Sequence, residues 1–246
     1  MTFWEHLEEL RGTLLRALAA VMLFAVVAFV CKDAMFSLIL APTKGNFPTY
    51  RLLGTSDFVL QLVNTGLTEQ FMVHVRTSVY IGLIMASPYV LYVLFRFIAP
   101  GLYASERKLG WRIAGSAYLM LIMGAVVNYL IVFPLAVRFL GTYQVSVDVA
   151  NMLTLQSYMD AFFGMTLALS LCFELPVVCY LMGRMGILTA ELMRRFRRHV
   201  FVGILIAAAI ITPTGDVVTL MLVALPLYAL YEASIFVAPN RSKTNN

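Results

Sequence analysis

Gly164-Met165-Thr166-Leu167-Ala168-Leu169-Ser170-Leu171-Cys172-Phe173-Glu174-Leu175-Pro176-Val177-Val178-Cys179-Tyr180-Leu181-Met182 is apolar almost throughout and carries one carboxylate, Glu174. The next basic residue is Arg184, ten positions on. At the helical rise that is about 15 Å, half of a ~30 Å hydrocarbon core, so the stretch reads as a transmembrane helix with an acid at mid-membrane. An acidic side chain there costs about 2.5–3.5 kcal/mol on insertion scales, so Glu174 should face protein, water or a partner. Two readings fit it: a protonated carboxyl bonded to a neighbouring helix, or a functional group. Pro176 frees a carbonyl one turn back and predicts a kink beside the carboxyl.

The rest of the chain agrees with a membrane setting. Of 246 residues 61% are hydrophobic and 13% charged, against about 45–50% and 25% in soluble domains. The opening residues carry Glu5, Glu8, Glu9, Arg11 and Arg16 ahead of an apolar run that has no small-residue cleavage signature, so the first span is expected to remain. Three scattered cysteines with no CxxC or Cys/His cluster argue against a disulfide framework and a metal site.

Six spans are expected: about Leu14 to Val30, Phe71 to Phe95 with Pro88 near its middle, Leu109 to Phe133, Leu155 to Met182, Val200 to Ile211, and Val217 to Val237 with Pro226 at its centre. This predicts an all-α integral membrane protein: one six-helix domain over residues 1–238, with short fifth and sixth spans, and a polar cytoplasmic tail over 239–246. The twelve apolar residues of the fifth make only ~18 Å of helix. Between the first two spans, Met35 to Pro42 and Phe58 to Leu62 are too short to span and too apolar for free coil, so a structured cap is expected there. Thirteen of the eighteen Lys and Arg fall on one side of this topology. The positive-inside rule puts that side, with both termini, in the cytoplasm.

Among the acids of the basic side, Glu5 and Glu9 stand i and i+4 on a helix. Like charges on one face cost a few tenths of a kcal/mol unless a cation occupies them, although a helix N-terminus also favours carboxylates. Glu106, beside Arg107 and Lys108, reads by default as a solvated charge. No Ser, Thr or Cys has an acid–base partner at recognisable spacing, which argues against an intramembrane enzyme. No GxxxxGK[ST] phosphate loop is present. A proton-coupled small-solute carrier using Glu174 is the alternative function.

Several motifs, in order along nearly the whole chain, resemble the TatC family, the membrane receptor component of the twin-arginine protein translocase. They are His6-Leu7-Glu8-Glu9-Leu10-Arg11, Ser87-Pro88-Tyr89-Val90-Leu91-Tyr92 running into Phe97-Ile98-Ala99-Pro100-Gly101-Leu102-Tyr103 and Glu106-Arg107, Phe133-Pro134-Leu135, Phe173-Glu174-Leu175-Pro176, and Thr212-Pro213. Each is weak alone; five in register are specific.

The resemblance implies a cup- or glove-shaped six-helix protein of the cytoplasmic membrane that binds twin-arginine signal peptides and exports folded proteins with the proton-motive force. It is expected to work without catalysis, cofactor, metal or nucleic acid. Glu9, Glu106 and Phe97 match the family's signal-peptide residues, with Arg11, Pro88, Leu102 and Tyr103 as supporting motif. Planar carboxylate forks are well suited to a guanidinium pair. Glu174, Thr212, Asp216 and Thr219 match positions that meet single-span partner helices of the TatA/TatB type, and further copies of the chain are expected in the complex. The connection Thr212-Pro213-Thr214-Gly215-Asp216 departs from the family's two adjacent prolines followed by Asp; Gly215 reads as an insertion, with Thr219 near a position where Gln is common. A hydroxyl at Thr219 can still hydrogen-bond a partner helix, at about 0.6 kcal/mol. The wider basic face is expected to hold anionic lipid headgroups.

Overall fold

The structure is a computed structural model that describes residues 3–54, 59–98, 110–144, 146, 152–213 and 215–238. It is mostly helical: α1 Phe3–Val30, α2 Lys32–Ile39, α3 Pro48–Leu52, α4 Glu69–Ile98, α5 Gly110–Val127, α6 Phe133–Thr142, α7 Leu155–Cys172, α8 Leu175–Arg184, α9 Ala190–Ile211 and α10 Val217–Val237. Two short strands, β1 Leu62–Val63 and β2 Leu153–Thr154, pair in parallel. Among the described residues five helical stretches are long and apolar enough to cross a membrane: Leu7–Val30, Glu69–Leu94, Ile113–Thr142, Leu155–Arg184 and Val217–Val237.

The chain forms two compact units. The first comprises Met1–Ile39 and Asn64–Leu119 and is built on α1 and α4. These helices run antiparallel. Gly82 of α4 meets the α1 backbone so closely that a Cβ there would lie 2.6 Å from the Ala25 amide nitrogen and 2.8 Å from the Val21 carbonyl oxygen. Two turns away, the His74 ring stacks on Phe29 at 4.1 Å between centroids, and its Nε2 lies 3.1 Å from the Phe29 carbonyl oxygen. Glu69 closes the start of α4, its Oε2 accepting from the amides of Thr65 and Gly66 at 3.0 and 2.9 Å. Pro88 sits inside α4. It cannot donate to the Ile84 carbonyl, and the Ser87 hydroxyl donates to that oxygen instead, at 2.6 Å.

The second unit, Leu40–Val63 with Met120–Asn246, holds the part of the expected cap that follows Ile39, in structured form. A 3₁₀ turn at Ala41–Thr43, α3 and β1 replace free coil. Tyr50 is fully buried, and its hydroxyl lies 2.9 Å from the Pro42 carbonyl and 3.0 Å from that of Pro134. Burial pushes this phenol above its ordinary value, and Arg138 pulls it part-way back.

Three expectations need correction here. The third span does not end at Phe133–Pro134; a π-helical turn, Asn128–Val132, passes the chain into α6, which runs to Thr142. Proline there occupies the first turn of the next helical segment, where a missing N–H costs little. The Leu130 carbonyl, four residues before Pro134, accepts from the Thr49 hydroxyl of the cap. The fifth helix does not start near Val200, because the Thr189 side chain caps α9 by accepting from the Leu192 amide, and α9 runs 22 residues from Ala190. The helix is thus full length while its apolar part remains short. The sixth span is not short: α10 has 21 residues, about 32 Å, and carries Pro226 without ending.

The fourth span is interrupted beside Pro176, where the sequence predicts a kink. α7 stops at Cys172, Phe173 and Glu174 form a turn, and α8 starts with Pro176 in its first turn. The Glu174 amide bonds the Leu171 carbonyl at 3.1 Å, a tightened turn, since Pro176 has no N–H to offer Cys172. Beneath it, α5 and α7 touch at Gly124, where a Cβ would lie 2.7 Å from Ser170 Cα. One turn along, Asn128 Nδ2 donates to Thr166 Oγ1 at 2.8 Å, and Thr166 donates on to the Phe162 carbonyl at 2.6 Å. The aromatic rings of Phe133, Tyr158 and Phe162 pack edge to face beside this seam.

Candidate functional site

The α1–α4 register fixes where the amino-terminal carboxylates lie. Ala25 meets Gly82 and Phe29 meets His74, so each step back along α1 is a step forward along α4. Continued to the end of the pair, that register sets Glu9 level with the last turn of α4, which carries Phe97. The two sequence-matched residues thus share one end of the helix pair. Arg11 is exposed on the same end of α1, and Pro88 lies two to three turns back along α4. Leu102, Tyr103 and Glu106 fall outside the described residues.

Glu9 Oε2 is buried and has no hydrogen-bond partner among the described residues. A buried acceptor left unmade costs about 1–3 kcal/mol, and more if charged. Such an oxygen is a place for an incoming donor. Glu174 Oε1 is in the same condition, at the α7–α8 break. A third buried carboxylate oxygen without a partner, on Glu232, belongs to a side chain already engaged, since its Oε2 accepts from Arg197 Nη2 at 2.6 Å.

Glu174 does not gather with the other residues matched to partner-helix contact. α8 packs along α10, with Cys179 facing Ser234 in the later half of α10. By that register Glu174 lies about ten residues, some 15 Å, along α10 from Thr219. Thr212, buried, ends α9. Asp216 is the N-cap of α10: its Oδ1 accepts from the Thr219 amide at 2.8 Å, and the Thr219 hydroxyl bonds the other carboxylate oxygen. Gly215, at φ +59°, supplies the left-handed step before that cap. Asp216 and Thr219 therefore satisfy each other, with Thr219 buried in the process.

The Asn128–Thr166 pair escaped the sequence reading. An Asn within Ala125-Val126-Val127-Asn128-Tyr129-Leu130-Ile131 is itself a signal, because an amide in a span needs a partner. Asn128 Oδ1 and Ser170 Oγ are buried without one among the described residues. No group of three or more His, Cys, Asp or Glu fit to hold a metal ion occurs among the described residues.

Residues 5–226 match the family model described as "Sec-independent protein translocase protein (TatC)". The chain belongs to the TatC family. It is 32% identical over 239 residues to the Sec-independent protein translocase protein TatC of Carboxydothermus hydrogenoformans, covering 97% of this chain and 93% of that one. It is 35% identical over 232 residues to that of Deinococcus radiodurans, covering 94% and 83%. Among solved structures it is similar to a crystal structure of the twin-arginine translocase receptor TatC in DDM. That match has a TM-score of 0.80 and 31% identity, over 95% of this chain and 99% of that one. With helices of this length and apolarity, this TatC-family chain is a membrane protein.

Proposed function

We propose that this chain is the signal-peptide receptor and core subunit of a twin-arginine protein export complex. It acts as a translocase component and not as an enzyme. Six spans, α9 among them, lie in the cytoplasmic membrane, with both termini in the cytoplasm, residues 1–238 as the membrane domain and 239–246 as its tail. Glu9 and Glu106 bind the arginine pair of the signal peptide, with Phe97 beside them. Glu174 receives a polar group of a TatA/TatB-type single-span helix, Thr212, Asp216 and Thr219 mark a second contact nearer the outer face, and other copies of the chain complete the complex. Energy comes from the proton-motive force through these partners.

The observation that supports this reading best is Glu9. A carboxylate oxygen buried without a donor among the described residues, on the most basic side of the chain and level with Phe97, suits a cation that arrives from outside the chain. Guanidinium is the matching donor, since it stays charged and fills both carboxylate lone-pair directions at once.

The test is binding of a labelled Arg-Arg signal peptide and its Lys-Lys variant to the purified protein, with Glu9→Ala and Glu106→Ala alongside. Selective Arg-Arg binding that drops about tenfold, ~1.4 kcal/mol, in each variant is expected. Indifference to Arg versus Lys and to both substitutions would overturn the assignment.

A further inference from the structure

The first half of α9 is more than a connection into a span. Within Ala190–His199 only Ala190 and Met193 are buried. The Tyr231 hydroxyl donates to the Met193 carbonyl at 2.6 Å, and Arg197 bonds Glu232, so this half is fastened to α10 along one side. At 100° per residue, Arg194, Arg198 and Arg195 follow the fastened side over an arc of about 100° that starts about 40° from Ala190, and His199, Leu192 and Phe196 extend it by about 100° more. Leu192 is 40% exposed and Phe196 45%. Glu191 lies inside the basic arc and offsets one of its three charges.

Depth gives the arrangement its meaning. Counting back from Ile211 at the far end of α9, Arg198 is about 20 Å and Arg194 about 26 Å along the axis. In a core of about 30 Å both lie short of the opposite boundary, so their guanidinium groups must reach along the helix toward the headgroups. Leu192 and Phe196, exposed beside them, suit the boundary between headgroups and acyl chains.

We propose that Arg194, Arg195 and Arg198, with Leu192 and Phe196 at their side, form a docking surface for the headgroups of anionic phospholipids. The guanidinium groups take the phosphates, bidentately where geometry permits, and the two apolar side chains lie among the first methylenes of the acyl chains. The net positive arc selects anionic over zwitterionic lipid. A free phosphate would have no use for the apolar arc. The inference rests on α9 being embedded, which belongs to the six-span reading above, and is independent of which residues bind the signal peptide.

The test uses the full chain in nanodiscs of phosphatidylcholine alone or mixed with phosphatidylglycerol. Amide exchange over residues 190–199 is expected to slow in the mixed discs, while residues 200–211 are protected in both. Equal exchange over 190–199 in the two lipids overturns the proposal; loss of protection over 200–211 overturns the embedded helix instead. In detergent, native mass spectrometry of the wild type should retain phosphatidylglycerol roughly tenfold better than the triple variant Arg194→Gln, Arg195→Gln, Arg198→Gln. Lysine at the three positions should restore most of it, and the pair Lys44→Gln, Arg51→Gln should leave it unchanged. Retention by the triple variant equal to wild type, or inorganic phosphate displacing the lipid at equal concentration, overturns the proposal.

Discussion

Replacing Gly82 by alanine should loosen the α1–α4 pair more than any other single methyl in that unit. The added carbon would stand 2.6 Å from the Ala25 amide nitrogen, 2.8 Å from Ala25 Cα and 2.8 Å from the Val21 carbonyl oxygen. All three are backbone atoms, so no side chain can rotate away. Restoring about 3.5 Å between the new carbon and its nearest neighbour requires the helices to part by about 0.9 Å. Overpacking of this kind costs about 1–3 kcal/mol, a factor of roughly five or more in the folded population. Gly115→Ala is the control, because nothing lies within 4 Å of a Cβ there, and by helix propensity it should be neutral or stabilise by up to about 1 kcal/mol. Titration with SDS in mixed micelles, followed by circular dichroism, measures both. A Gly82→Ala protein as stable as wild type would refute the close crossing, and with it the register that sets Glu9 level with Phe97. Equal loss in Gly115→Ala would show that alanine is harmful in these helices for some reason other than contact.

Tyr50→Phe removes the donor that faces two buried carbonyls and should cost about 1–3 kcal/mol. Because burial raises the Tyr50 phenol above its ordinary 10, that difference should be constant below pH 10 and shrink as pH climbs through the raised value. A double-mutant cycle on Asn128→Ala and Thr166→Val should give a coupling near 0.6 kcal/mol and at most about 1.7; zero coupling would remove the bond across the α5–α7 seam. Asp216→Ala should lose about 0.5–2 kcal/mol through the α10 N-cap, seen as faster amide exchange in the first turn, and unchanged exchange there would count against the cap. For Glu174, crosslinking to a single-span partner should survive Glu174→Gln largely intact and fall in Glu174→Leu; equal loss in both would argue against hydrogen bonding at mid-membrane.

Much of the plan was legible because hydrocarbon is an unforgiving solvent. An apolar run of spanning length can hardly be anything but a helix, and a proline beside an acid marks a bend, so Glu174 was readable before its geometry was known. What failed did so for local reasons. Pro134 looks like a stop, yet the chain passes it through a π turn whose Leu130 carbonyl is served by Thr49, more than eighty residues away in sequence. The fifth span reads as starting at Val200, where the apolar run starts, yet Thr189 caps the Arg-rich segment before it into α9, and charge alone does not report helicity. The level of Glu9 with Phe97 depends on which small residue lets two helices cross, and nothing in the motifs themselves carries that.

The prolines show how the polar cost of such a body is distributed. Each proline inside or at the start of a helical segment deprives a carbonyl one turn back of its donor. At Pro88 the Ser87 hydroxyl serves the freed Ile84 oxygen, and at Pro134 the Thr49 hydroxyl serves that of Leu130. Both repairs come from side chains of the chain itself, and both helices continue. At Pro176 the chain follows another course: the helix breaks, the Glu174 amide tightens onto Leu171, and a carboxylate oxygen is left buried with no partner among the described residues. Ser170, one turn before the bend, makes no such repair, since its hydroxyl is itself buried without a partner among the described residues. An acid there leaves the site incomplete, and an incomplete polar site at mid-membrane is stabilised by whatever brings it a donor, which is the physical basis for placing a partner helix at Glu174.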